Sequence, residues 1–292
     1  MTTNLQGKTI LITGATNGIG KVAALELAKM GASVVIVGRQ RAKTESVVEE
    51  IKAASHSSSV DMLIADLSVI SEVRRLADEF RQKYQRLDVL INNAGAVFSN
   101  RHESHDGLEM TFALNHMSYF LLTNLLLDLL KASAPSRVVN VASDAHTGGK
   151  VNFDDLQNQR SYGAGGFGAY ANTKLLNVMF TYELARRLAG TGVTANVLHP
   201  GFVRSGFGHN NTGLMRIIMP LVQLAAISPE QGADTIVYLA SSPEVEGQTG
   251  RYWDKRKAIQ SSASSYVEAD QRRLWDATAE LVGLPVTPHS IA

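Results

Sequence analysis

No cysteine occurs among the 292 residues, which excludes a disulfide framework, a zinc–thiolate site and a cysteine nucleophile together. Neither sign of charge dominates: 28 Lys and Arg oppose 27 Asp and Glu, so net charge draws the chain to neither nucleic acid nor an anionic membrane. The densest basic stretch, Arg251 to Lys257, reads as a solvated turn. Long apolar runs are missing too. Tyr119 to Leu130 is interrupted by Asn124 and Asp128, and Leu214 to Ile227 by Arg216 and Pro220. Neither approaches the ~20 apolar residues that a spanning helix needs. Met1 to Lys8 is polar and runs straight into a strand, unlike a signal peptide. The expectation is a soluble, cytoplasmic protein without stable membrane insertion.

What is present is rhythm. Short β-branched runs at Thr9–Thr13, Val34–Gly38, Val60–Ala65, Val89–Asn92, Val138–Ala142, Val193–Leu198 and Arg251–Trp253 are nearly all apolar, as strands covered on both faces are. Amphipathic stretches lie between them at Ile19–Met30, Ala42–Ala54, Val69–Tyr84, Leu108–Lys131 and Ala169–Leu188. This alternation predicts an α/β fold, a doubly wound parallel sheet of about seven strands with helices on both faces. No linker, repeat or low-complexity tract divides 1–292, so one domain is expected. Two segments break the pattern: 202–227, rich in Gly, Met, Leu and Ile, and a tail over 261–292 with one helix near Ser265–Val282. The first leaves the strand edge where ligands bind in such sheets and is a candidate substrate lid.

Thr13-Gly14-Ala15-Thr16-Asn17-Gly18-Ile19-Gly20 joins the first strand to the first helix. Glycine lets the backbone turn tightly and approach a pyrophosphate, and the helix start offers unpaired N–H groups and a positive dipole end. Gly14, Thr16, Asn17, Gly18, Ile19 and Gly20 are therefore candidate cofactor contacts. Their spacing is Gly-x-x-x-Gly-x-Gly, and here the chain resembles the short-chain dehydrogenase/reductase family, whose Rossmann-type fold carries this wider motif. After the second strand stands Gly38-Arg39-Gln40-Arg41, with no carboxylate to hold an NAD ribose. Arg39 instead favours the 2′-phosphate of NADP(H) by charge and planar geometry. By resemblance, Asp66 with Leu67 contacts the adenine; alternatively Asp66 or Ser68 is a helix N-cap. Asn92-Asn93-Ala94-Gly95 matches a family signature beneath the cofactor, which makes Asn92, Ala94 and Gly95 cofactor-lining or stabilisers of the sheet edge.

Tyr170 and Lys174 stand at i and i+4, so they share a helix face. An ammonium beneath the phenol would favour the phenolate, otherwise poorly accessible from a reference pKa of ~10. The companions fit the family. Ser143, 27 residues before Tyr170, resembles the serine that binds the substrate oxygen. Asn115 resembles the asparagine that fixes a relay water. Pro200, Gly201, Val203 and Ser205 match the turn that meets the nicotinamide, where the family often has Thr in place of Ser205. The resemblance implies a catalytic set of Asn115, Ser143, Tyr170 and Lys174, with the last two also touching cofactor.

Within the family the chain is most similar to the retinol dehydrogenase-like branch. The residues that carry this are Asn115-His116 with Phe120-Leu121-Leu122-Thr123, Ala185-Arg186-Arg187-Leu188, Gly192-Val193-Thr194 with His199-Pro200-Gly201, and Arg273-Leu274-Trp275-Asp276. The polar start at Met1 to Lys8 carries no counterpart of the N-terminal membrane anchor of that branch, so a membrane-resident role is not expected. His102 and His105 read as surface loop, and His116, His146 and His199, which flank the candidate site, as structural or as groups that support the site residues from behind, so no metal is expected. The resemblance implies NADP(H)-dependent interconversion of a small apolar carbonyl and its alcohol, with a possible homodimer or homotetramer. Phe202, Phe207, Leu214, Met215, Ile217, Ile218 and Met219 supply the apolar wall. Reduction of an activated C=C bond and a non-catalytic NADP(H) sensor are the competing readings.

Overall fold

The computed structural model describes residues 4–203 and 227–286. Its strands are β1 (Thr9–Thr13), β2 (Ser33–Gly38), β3 (Val60–Ile64), β4 (Val89–Asn92), β5 (Ser136–Val141), β6 (Val193–Leu198), β7 (Tyr252–Asp254) and β8 (Lys257–Ile259). They form one sheet in the order β3-β2-β1-β4-β5-β6-β7-β8, parallel except for β8. Successive residues face opposite layers. Leu11, Val35 and Leu63 enter one core, and Ile10, Ile12, Val34 and Ile36 enter the other. Burial on both faces explains why the strands read as unbroken apolar runs.

The helices follow from the gaps between strands: α1 (Gly18–Lys29), α2 (Arg41–Ser55), α3 (Ile70–Lys83), α4 (Met110–Phe112), α5 (Ser118–Leu125), α6 (Leu127–Ala132), α7 (Phe167–Arg187), α8 (Pro229–Ser241) and α9 (Glu268–Leu281). Residues of α3, α5, α7 and α9 share one core cluster; residues of α1, α2 and α8 share the other. The result is a single-domain, doubly wound α/β fold.

Three details depart from the sequence expectation. The helix expected over Leu108–Lys131 is segmented: a π-helical turn, Ala113–Met117, separates α4 from α5, and Leu126 (φ −100°, ψ 4°) separates α5 from α6. The expected seven strands are joined by β8, an exposed three-residue hairpin arm. Its turn places Lys255 and Arg256 at positive φ (46° and 62°), a conformation normally signalled by Asn or Gly. The helix α8 was not anticipated, although Ser228-Pro229-Glu230-Gln231 starts it with a capping box: Ser228 Oγ accepts the Gln231 N–H at 3.3 Å and Gln231 Oε1 accepts the Ser228 N–H at 3.0 Å.

The polarity reversal of the winding lies between β1 and β4, and ligands of open α/β sheets bind beyond the strand ends at such a point. Gly14, Asp66, Asn93, Ser143 and His199 follow the carboxyl ends of strands, Gly38 is the last residue of β2, and together they line one edge of the sheet. The expected lid falls largely on 204–226, outside the described residues, as do Ser205, Phe207, Leu214, Met215, Ile217, Ile218 and Met219. The two ends of that segment meet, since Val203 pairs with Ile227 and the Ile227 N–H donates to Phe202 O at 2.8 Å. Among the described residues no helix is long and apolar enough to cross a membrane.

Candidate active site

The nucleotide end is built by mutual exclusion. Gly14 has φ +66°, and a Cβ there would lie 2.6 Å from Ala94 Cα; the turn after β1 and the tip of β4 can touch only because both are small. Hydrogen bonds fix the contact. Thr13 Oγ1 accepts the N–H groups of Asn93 and Ala94 at 2.9 and 3.1 Å, while Asn93 Nδ2 donates to the carbonyls of Thr13 and Gly14 at 2.9 and 3.0 Å. Gly20 completes the knot, because a Cβ on it would stand 2.5 Å from Asn93 Nδ2. Asn93 is thus the clamp of the glycine turn, a role the sequence pattern did not single out from its neighbours. Asn17 precedes α1 without a side-chain cap, and no acid occupies the first turn. The first-turn N–H groups near Gly18 and Ile19, with the dipole end, are left to meet an anion.

The residues after β2 and β3 form the next part of the edge. Arg39 is 70% exposed at its side chain and its guanidinium lies 3.7 Å from the Asp66 carboxylate. Arg41 lies 3.6 Å from Glu45 instead. A Cβ on Gly38 would collide with Thr44 Oγ1 and Thr16 Cγ2, so packing, beyond charge, keeps a carboxylate off this position. Asp66 is not a helix cap. Its Oδ1 accepts from the N–H and hydroxyl of Ser68 at 3.0 and 2.6 Å, and α3 begins only after Val69. Leu67 is buried. Asn92 sits apart from this edge: fully buried, its Nδ2 donates to Thr123 Oγ1 at 3.0 Å and Asn140 Oδ1 at 2.8 Å. Of its two readings, the structure places it as a tie between β4, β5 and α5.

The chemical end comes from β5, the π turn and α7. Ser143 Oγ accepts the Ala145 N–H at 3.2 Å and is hydrogen-bonded to the Tyr170 hydroxyl. Burial pushes the Tyr170 phenol up to about 12, and the Ser143 bond lowers it only partly. Lys174 is buried, donates from Nζ to Val141 O at 2.9 Å, and lies 5.5 Å from the Tyr170 ring centre. Burial pushes its ammonium down to about 7. The expectation that Lys174 would draw Tyr170 toward phenolate is therefore altered: Ser143 acts in that direction, burial outweighs it, and Tyr170 stays a phenol at neutral pH.

Asn115 lies in the π turn, whose wider winding is a recurrent feature of functional sites. Its amide is spent on structure: Oδ1 accepts the Ala96 N–H at 2.9 Å, and Nδ2 donates to Ala96 O at 2.9 Å and Thr173 Oγ1 at 3.2 Å. The Asn115 carbonyl accepts from Asn177 Nδ2 at 2.8 Å. Asn177 Oδ1 is met by His116 Nδ1 at 3.0 Å, and His116 Nε2 by Thr278 Oγ1 at 3.2 Å. Burial pushes His116 down to about 4, so it is neutral and supports the turn. Asn177, Thr173 and Thr278 escaped the sequence reading because their partners lie on other elements. Gly95 is the meeting point: a Cβ there would stand 3.2 Å from Asn115 Oδ1 and 3.6 Å from Lys174 Nζ.

On the far side Pro200 leads into Gly201 (φ +86°), where a Cβ would lie 2.5 Å from Ile227 Cδ1. Gly14, Ala94, Gly95, Asn115, Ser143, Tyr170 and Lys174 are thus brought to one edge, with Arg39 and Asp66 at one end and Pro200, Gly201 and Val203 at the other. His102 packs edge-on against Phe98, and His105 is exposed.

Comparison with known proteins shows the family and the fold. The family model described as short chain dehydrogenase matches residues 8–213. Human retinol dehydrogenase 14 is 44% identical over 297 residues, covering 96% of this chain and 88% of that protein. Human retinol dehydrogenase 13 is 41% identical over 286 residues, covering 96% and 86%. A crystal structure of an uncharacterised protein from Mycobacterium paratuberculosis superposes with a TM-score of 0.79 at 30% identity, over 98% of this chain and 97% of that one. The RhlG/NADP active-site complex of Pseudomonas aeruginosa does so with a TM-score of 0.68 at 28% identity, over 85% and 94%. By sequence and by fold, the chain belongs to the short-chain dehydrogenase/reductase family, in its retinol dehydrogenase-like branch.

Proposed function

We propose that the protein reduces an apolar aldehyde or ketone to its alcohol with NADPH, and that Tyr170 is the proton donor. The observation that carries this reading is the bonded pair of hydroxyls, Ser143 and Tyr170, beside the buried Lys174. A phenol that keeps its proton at neutral pH can supply that proton to a carbonyl oxygen during reduction. The residues present fit a dinucleotide: an uncapped helix start, the side-chain-free positions Gly14 and Gly95, and a guanidinium whose nearest acid is 3.7 Å away. When bound, the reduced nicotinamide supplies the hydride to the carbonyl carbon.

The chain's own groups do the rest. The substrate oxygen takes its place between the two hydroxyls, where Ser143 Oγ donates a hydrogen bond and Tyr170 Oη transfers its proton. Lys174 meets the nicotinamide ribose and, as an ammonium, stabilises the phenolate left behind. The second lone pair of the Asn115 carbonyl is the acceptor for a relay water. Arg39 pairs with the 2′-phosphate of the cofactor. The apolar preference draws on exposed aromatics beside the site: Phe167, 46% exposed at the start of α7, and Phe202, 52% exposed after Gly201. It draws as well on the retinol dehydrogenase relatives.

Four outcomes are expected. Tyr170→Phe lowers kcat by about a hundred- to ten-thousand-fold while NADPH still binds; near-parental turnover in that variant rules the assignment out. Binding of NADPH takes up about one proton at pH 8 and little at pH 6, because a lysine that titrates near 7 is mostly neutral at the higher pH and must recover its charge. Calorimetry in buffers of different ionisation enthalpy measures this, and Lys174→Met removes it. The ratio of kcat/KM for NADPH over NADH is about ten- to a hundred-fold and collapses in Arg39→Ala. Finally, kcat/KM rises at least about tenfold from butanal to decanal, given ~0.8 kcal/mol per buried methylene; a flat series refutes the apolar site.

A further inference from the structure

The peptide bond after Ser143 is held at both of its polar atoms by histidine. His146 Nδ1 lies 2.8 Å from Ser143 O, and the Asp144 N–H donates to His199 Nδ1 at 3.0 Å. In a trans peptide these two atoms point in opposite directions, so the imidazoles grip one peptide plane from opposite edges. Their sources are far apart in the chain. His146 sits in the 3₁₀ turn that follows β5, and His199 directly follows β6.

The partners fix which nitrogen of each ring carries the proton. The Ser262 N–H donates to His146 Nε2 at 3.1 Å. That nitrogen is therefore unprotonated, and Nδ1–H donates to Ser143 O. For His199 the order is reversed: Nδ1 accepts from Asp144, so its proton is on Nε2. Both rings are neutral in this arrangement, and burial favours that state by holding each below the usual histidine range. The surroundings are mixed in charge. His199 faces Asp144, Asp254, His146 and Lys255, while His146 packs against the Tyr252 ring, tilted by 47° with the ring centres 4.7 Å apart. A rotation of this peptide would carry with it Ala145, whose N–H aims the Ser143 hydroxyl at 3.2 Å.

We propose that His146 and His199 are positioning residues, which hold the Ser143–Asp144 peptide in fixed and opposite tautomers and thereby aim the Ser143 hydroxyl at the reacting oxygen. The inference rests on the reading of Ser143 and Tyr170 given above. It also gives the tail a function, because the Ser262 loop leading into α9 selects the His146 tautomer.

Asparagine places its amide near the position of ring Nδ1 and glutamine near that of Nε2, which separates the two jobs of His146. His146→Asn and His199→Asn keep the bond to the Ser143–Asp144 peptide; His146→Gln and His199→Gln lose it. With NADPH and decanal as probes, the Gln variants should lose about tenfold in kcat, the equivalent of one hydrogen bond of about 1.4 kcal/mol. The Asn variants should stay within about threefold of the parent, and the NADPH KM within about twofold in all four. A merely structural role would affect both His146 variants alike and show as lost thermal stability, without the split between Asn and Gln. Imidazole nitrogen NMR of the unmodified protein requires neither turnover nor a variant that folds. It should find His146 protonated at Nδ1 and His199 at Nε2 at pH 7.5. The opposite tautomers, charged rings, or equal kcat in Asn and Gln variants overturns the proposal. Ser143→Ala and Tyr170→Phe serve as controls. If these retain parental turnover, the reading of the catalytic site fails, whereas normal loss there with indifferent histidines disproves only the inference.

Discussion

The site depends first on a contact too close for a side chain. Gly14 and Ala94 meet where the winding of the sheet reverses, and a Cβ on the glycine would sit 2.6 Å from the alanine backbone. This approach sets the position of the α1 N-terminus relative to Gly95, and Gly95 in turn lies against Asn115 and Lys174. The turn after β1 is therefore registered to the tip of β4 through backbone, and the tip of β4 to Asn115 and Lys174 through the ends of their side chains. Asn93 provides the enthalpic counterpart, bonding the tip of β4 to two carbonyls of the turn after β1.

Behind this contact runs a buried polar spine. Thr123, Asn92, Asn140 and Thr181 are linked by side-chain hydrogen bonds, and Thr181 Oγ1 donates to Asn177 O at 2.7 Å. Asn177 then joins Asn115 and His116, and His116 reaches Thr278 on α9. Unpaired, each of these groups would cost about 1–3 kcal/mol to bury. Joined, they form a network that ties β4, β5, the π turn, α7 and the C-terminal helix to one geometry. The π turn fits the same logic, since its carbonyl at Asn115 finds a side-chain donor where regular helical bonding is interrupted.

Electrostatics at the reacting end run opposite to those of an exposed tyrosine–lysine pair. Burial favours neutral Tyr170 and penalises charged Lys174, whose Nζ donates to the main-chain carbonyl of Val141. Each group is held in a state that a ligand can change. Under the proposed function, a bound cofactor that needs the ammonium would restore the lysine's charge, and with it the field that stabilises a phenolate.

Much of this was legible in the sequence. The unbroken apolar strands gave both-faces burial, the glycine spacing gave the turn after β1, and Tyr170 with Lys174 needed only helical periodicity to share a face. Those are local properties, carried by residues near one another in the chain. The sequence also held signals that went unread, such as the capping box at Ser228. The rest is non-local. Asn93, Asn177 and Thr278 act on partners from 61 to 162 residues away. The protonation states of Tyr170, Lys174 and the histidines follow from burial that only packing creates. Sequence by itself determined the fold class, the glycine turn after β1 and the shared helix face of Tyr170 and Lys174, because propensity, period and side-chain chemistry are intrinsic to short segments. Tertiary structure alone decided that Asn92 ties the sheet instead of lining the cleft, that Asp66 caps no helix, and that two distant imidazoles grip the peptide after Ser143, because each of these depends on which atoms the chain brings into contact.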